Sequence, residues 1–115
     1  MSYMLLIVEQ PGERDVDAAE GQRRYEVMHA FAAGLDSRGL LTSAESLLTP
    51  DETGVRVRRR GGKNATVDGP FAEAKEIIGG LFIIQAADYD QAVEICRSCP
   101  HLDNGWIELR QIDEV

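Results

Sequence analysis

The chain has 115 residues, 43% of them apolar, and a formal net charge of −8 from 20 acidic and 12 basic side chains. That length predicts one compact domain over 1–115, with enough chain for a core but not for two. The acidic balance argues against direct nucleic-acid binding, which depends on neutralising phosphate charge. No apolar run approaches the roughly 20 residues of a membrane span, and the short run from Met4 to Val8 follows no basic leader segment. The expected compartment is the cytoplasm, where Cys96 and Cys99 stay reduced.

Residues 3–8 are continuously apolar, which predicts a strand covered on both faces. Gln10-Pro11-Gly12 ends it, and a polar loop runs to Asp17. From 18 to 38 the spacing turns helical: Tyr25, Met28, Ala32 and Leu35 make the apolar stripe, and Phe31 widens it. Asp17 is placed to cap the start with Glu20 completing a capping box, and Gly39 to end the helix in a left-handed conformation. Residues 40–48 predict a weaker strand, followed by a turn over 50–54. Val55 and Val57 alternate with Arg56 and Arg58, then Gly61-Gly62 turns the chain back through Ala65 and Val67 to make a hairpin ending at Asp68. A helical turn is expected over 73–76, a break at Gly79-Gly80, and a buried strand over 81–84. Asp88 opens a second helix with Gln91 in the reciprocal capping position, and Pro100 stops it after Cys99. The last strand starts at Trp106 and runs to Ile112.

Residues 68–76, Asp-Gly-Pro-Phe-Ala-Glu-Ala-Lys-Glu, and the following Gly79-Gly80-Leu81-Phe82-Ile83-Ile84 carry the most specific pattern in the chain. With the segments at 3–9, 39–47, 55–59 and 106–112, they closely resemble the DGPF-domain proteins, a branch of the YCII-related group. The resemblance implies a ferredoxin-like α+β chain, two helices on one face of a predominantly antiparallel sheet, that dimerises into an α+β barrel. It brings no established activity. Some members are encoded beside extracytoplasmic-function sigma factors, which makes a regulatory link to such a factor one reading of its partners. The bare physics also leads to a homodimer, since two helices cover one sheet face and leave the other apolar face open.

Several side chains are candidates for chemistry. On the final strand Ile107 and Leu109 point one way, while Trp106, Glu108, Arg110 and Ile112 point the other. Arg56 and Arg58 from the hairpin, with Glu108 and Arg110, could line a mixed seam that holds a small organic anion through arginine's planar donor fork. The alternative is a structural Glu108–Arg110 ion pair. Asp68 and Glu73 are the carboxylates open to acid–base work, with Lys75 as a local counter-charge or anion ligand. The other reading of Asp68 is structural, accepting backbone N–H bonds in the corner around Gly69 and Phe71. His29 is the proton-transfer candidate by residue type. YCII-type relatives carry a proposed His–Asp catalytic pair with the histidine on the first helix. Counting back from Leu40-Leu41 does not set His29 on the matching turn, so a helix-flank histidine is the competing reading. His101 is expected at the surface or as a cap.

Cys96 and Cys99 end a helix instead of starting one, and no second cysteine pair exists, so neither a redox motif nor a zinc site is expected. No phosphate-binding glycine loop or nucleophile elbow is present, and no cofactor is predicted. The reading that results is a small homodimeric domain that binds a small polar or anionic molecule or serves a regulatory role. The alternatives are an acid–base enzyme using Asp68 with His29 or Glu108 on a small metabolite, and an interaction protein associated with a sigma factor.

Overall fold

Four strands make the main sheet: β1 (Ser2–Glu9), β2 (Leu41–Ser46), β5 (Ile77–Gln85) and β6 (Trp106–Gln111), in the order β2-β5-β1-β6 with every pair antiparallel. A separate two-stranded sheet is the hairpin of β3 (Val55–Arg60) and β4 (Lys63–Asp68). Helices α1 (Ala18–Ser37) and α3 (Tyr89–Arg97) are the principal ones, with a single turn α2 (Pro50–Thr53) and a 3-10 turn over Pro100–Asp103. The computed structural model describes residues 1–69, 71 and 75–114, without the side chains of Asp51 and Glu52. Among the described residues no helix is long and apolar enough to cross a membrane.

Strand register decides which residues make the core. Tyr3, Leu5 and Ile7 alternate toward the helices, and their cross-strand neighbours Ile84, Phe82 and Leu109 share that face. Leu35 of α1 and Ala92 and Ile95 of α3 close over them, so both helices lie on one side of the sheet. This is the α+β arrangement expected from the periodicities. Met4, Leu6, Leu81 and Ile83 alternate to the other side and are only half-buried. Among the described residues no element covers that face, because both principal helices are used on the first one.

Helix ends follow the sequence signals closely. Asp17 Oδ1 accepts from the Glu20 N–H at 2.8 Å, and Gly39 adopts φ +71° just past α1. Asp88 Oδ1 accepts from the Gln91 N–H at 2.8 Å, while Gln91 Oε1 accepts from the Ala87 N–H at 2.6 Å. The first capping box forms only on one side. Glu20 turns its carboxylate outward to Arg23 and Arg24, and the three hydrogen bonds from these two guanidinium groups pull its pKa down to about 2. A carboxylate with a depressed folded pKa stabilises the fold above its unfolded value and loses that contribution as pH falls through the folded one. Thermal unfolding of wild type and Glu20→Gln is therefore expected to coincide near pH 2 and separate as pH rises to 4.5. Melting curves that stay parallel across that window would remove the carboxylate from the acid response.

The structure overturns several local expectations. The turn expected over 50–54 is one helical turn, started by Pro50 at the first position and closed by the Gly54 N–H on Pro50 O at 2.8 Å. Gly79 and Gly80 do not break the chain: both are buried inside β5, which starts at Ile77. Register against β1 slips there, from Ile7–Gly80 to Val8–Ile78, so Gly79 is the extra residue of a β-bulge. Tyr25 does not join the core and is 65% exposed, because the stripe of α1 turns away from the sheet at its N-terminal half. The helical turn expected over 73–76 lies partly outside the described residues, and Lys75 and Glu76 are not helical. Gly69 does not donate to Asp68; its N–H goes to Gly54 O at 2.7 Å and closes the base of the hairpin.

Candidate functional site

Where α1 rises away from the sheet it leaves a cleft of about 560 Å³. Its floor is Ile7, Gly80 and Phe82 of the two central strands and Ala44 of β2; Met28 and Ala32 of α1 form a wall. The space exists because small residues stand where the core elsewhere is filled. A side chain at Gly80 would set its Cβ 2.7 Å from Glu45 O, so the strand crossing itself demands a glycine. Tyr25 and His29, one turn apart on α1, stack at the mouth with ring centroids 5.9 Å apart and planes 19° from parallel. The result is an apolar slot with an imidazole at its rim.

One end of the cleft is fixed by a partly buried ion pair. Glu9 ends β1 and accepts from Arg14 Nε at 3.0 and 2.9 Å and from Nη2 at 2.8 Å. The remaining donors of Arg14 reach Leu47 O at 2.7 Å and Gly79 O at 3.1 Å. The bulge makes this possible, since it frees the Gly79 carbonyl, which also accepts from the Leu47 N–H at 2.9 Å. A Cβ at Gly79 would lie 2.1 Å from Glu9 Oε1. Arg14 therefore ties the loop after β1 to the end of β2 and to β5 at once, with four of its five N–H donors taken by the protein.

His101 sits at the opposite wall and is buried, not at the surface as expected. The 3-10 turn after Pro100 rotates it inward, where Nε2–H donates to Val8 O at 2.7 Å. Gly105 makes room, because a Cβ there would lie 2.6 Å from that nitrogen. The imidazole fastens the end of β1 to the turn before β6. Burial pushes the Cys96 thiol up to about 11 and the Cys99 thiol above its ordinary range, so both free cysteines stay protonated at neutral pH. Among the described residues no group of three or more His, Cys, Asp or Glu is placed to hold a metal ion.

The residues picked out in the sequence fall in three places. His29 is at the cleft mouth. Arg56, Arg58 and Asp68 are on the hairpin, with Arg58 and Asp68 exposed and the Arg56 guanidinium 4.1 Å from the centre of the Phe71 ring. Glu108 and Arg110 are on β6, the outer strand at the other edge from β2, joined by a 3.4 Å contact with both side chains mostly exposed. Lys75 is exposed near β5, and Glu73 lies outside the described residues. One chain thus does not bring the hairpin arginines and Asp68 to Glu108 and Arg110, and it sets neither group at the cleft. Tyr25 was read only as part of the apolar stripe, and Glu9, Arg14 and Ala44 were not marked by any sequence signal, although a charged residue closing an apolar strand, as Glu9 does, is a hint of a buried pair.

The fold is shared with a solved protein. The structure matches 5-chloro-2-hydroxyhydroquinone dehydrochlorinase (TftG) from Burkholderia phenoliruptrix AC1100, solved in complex with 2,5-dihydroxybenzoquinone, with a TM-score of 0.59. That match covers 100% of this chain and 96% of the other at 12% identity, which is a likeness of fold. In sequence, an uncharacterized protein of Rhizobium meliloti (strain 1021) is 36% identical over 67 residues. Those residues are 56% of this chain and 54% of the relative, so the match spans about half of the curated protein. The family profile described as the YCII-related domain matches residues 1–115, and the chain belongs to that family.

Proposed function

We propose that this protein binds a small, flat, partly apolar molecule with polar substituents in the cleft between α1 and the sheet, and that His29 exchanges a proton with it. The observation that carries this reading is the cleft itself: an apolar slot of about 560 Å³ with an aromatic–imidazole pair at its mouth. A slot of that lining has ample room for a ring compound, and small-molecule sites generally join an apolar wall to a few placed polar groups. The TftG complex supports the ligand class, since a chain of the same fold is solved with a planar dihydroxyquinone. With a bound acid or phenol at the rim, His29 is the group able to take or return a proton near neutral pH. That makes acid–base turnover of a small metabolite the enzymatic form of the same reading.

The DGPF branch and self-association belong to this proposal. The open sheet face carries Met4, Leu6, Leu81 and Ile83, and a second copy laid on it gives the barrel-like dimer that the family resemblance implies. Glu108 and Arg110 then meet the partner instead of solvent. The decisive measurement is an NMR titration with 2,5-dihydroxybenzoquinone as the probe. The amides of His29, Ala44 and Gly80 are expected to shift together and saturate at one probe per chain. Shifts confined to the hairpin or to Glu108 and Arg110, or none at all up to millimolar probe, would overturn the cleft as the site.

A further inference from the structure

The β3–β4 hairpin is an anomaly of charge and of support. Residues 55–68 hold five basic side chains against one acidic, net +4, leaving seven basic against nineteen acidic, net −12, on the rest of the chain. Its strands pair only with each other, and a two-stranded ribbon is at best marginally stable alone. The molecule measures 47 × 43 × 18 Å with a radius of gyration of 16.1 Å, against about 13 Å for a compact domain near this length. A basic ribbon therefore extends from a flat acidic body.

Register sorts the ribbon into two faces. Arg58 and Arg60 share one face with Ala65 and Lys63, and Arg60 stands directly opposite Lys63. Like charges in that position repel, and among the described residues none of Arg58, Arg60 and Lys63 has a carboxylate partner. The other face exposes Val55 and Val57 together with Arg59 and Asp68. A ribbon with Arg58, Arg60 and Lys63 on one face and exposed valines on both fits an apolar surface edged with acid. Such a surface lies on the open side of the main sheet, where register lines up Glu45, Leu81, Leu6 and Glu108 in one row. Its centre is apolar; Glu45 ends it on β2, while at the β6 end Glu108 is shared with Arg110 3.4 Å away, so the acidic rim is the β2 edge.

We propose that the β3–β4 hairpin is an intermolecular arm, and that its Arg58, Arg60 and Lys63 face closes against the acidic rim of a second copy's open sheet face. This rests on the self-association proposed above and adds to it a separate, electrostatic contact that sets partner choice and register. A photo-crosslinking amino acid at Ala65, in a mixture of 15N-labelled and unlabelled chains, reads it directly. Mixed-isotope cross-links from Ala65 to peptides within 1–49 or 77–114 are expected. Charge reversal by Arg58→Glu, Arg60→Glu and Lys63→Glu is expected to raise the dimer dissociation constant at least about tenfold in low salt, with the gap closing in about 1 M NaCl. A triple Gln variant, checked for an unchanged circular dichroism spectrum, should weaken the dimer to a lesser degree. A wild-type dimer whose Ala65 cross-links stay within one chain, or whose affinity ignores the reversal, would overturn the arm and leave the dimer standing. A monomer at micromolar concentration would remove both. Binding of a labelled oligonucleotide that the reversal abolishes, with the dimer unaffected, would assign the cations to nucleic acid and reject the arm.

Discussion

Replacing Arg14 with alanine is expected to cost about 2–3 kcal/mol of folding stability and to lower the melting temperature by roughly 10 °C. Removing one partner of a buried pair strands the other charge, and Glu9 has only 10% of its side chain exposed. The lower end of the usual penalty applies because Arg14 itself is 36% exposed and part of its attraction is screened by water. Leu47 O and Gly79 O lose donors in the same stroke. Lysine should not rescue the loss, since a single ammonium cannot span a carboxylate and two carbonyls held in different directions. Urea unfolding of Arg14→Ala in the native and Glu9→Gln backgrounds separates the contributions. A loss that is equal in both would show that Arg14 acts through the two carbonyls and not through Glu9. Gly79→Ala tests the same clamp from the other side, because its added Cβ would press on the Glu9 carboxylate and lie 2.9 Å from Arg14 Nη2.

That clamp shows where reading the sequence stops. The strands, both long helices, their caps and the Gly61-Gly62 turn were legible because each is written in local spacing or in one residue's backbone preference; Gly61 and Gly62 have φ of +56° and +77°, as a two-residue hairpin turn requires. Gly79-Gly80 carried the same signal and meant something else. Glycine in a run marks a turn more often than a bulge, and only the approach of Glu9 from another strand shows that its side chain had to be absent. His101 was misplaced for a related reason. Pro100 ends the helix as expected, but the 3-10 turn that follows points the imidazole inward. His29 was legible as a residue type and not as part of a site, because the site is made by what is missing: Gly80, Ala44 and Ala32 leave space that no motif records. The hairpin arginines and Glu108–Arg110 were grouped by strand face alone, but β3 and β4 form a sheet of their own, apart from the main sheet that holds β6.

Filling that space should separate binding from proton transfer. Ala44 is exposed on β2 with its side chain over Phe82, so Ala44→Phe places a ring in the slot without entering the packed core. Affinity for the dihydroxyquinone probe is expected to fall about 100-fold or more, while the melting temperature stays within a few degrees, since surface substitutions of this kind are nearly neutral to stability. His29→Gln makes the complementary change. It keeps a polar side chain at the mouth and removes the exchangeable proton, so probe affinity should fall by less than about tenfold. Any turnover of a proton-transfer substrate should then drop by roughly 10²–10⁴, the usual contribution of a positioned acid or base. If Ala44→Phe bound the probe as tightly as wild type, the slot would not be the site. If His29→Gln kept full turnover while Ala44→Phe lost it, the cleft would remain the site and the proton would have to come from another group, with Tyr25 the next nearest at the mouth.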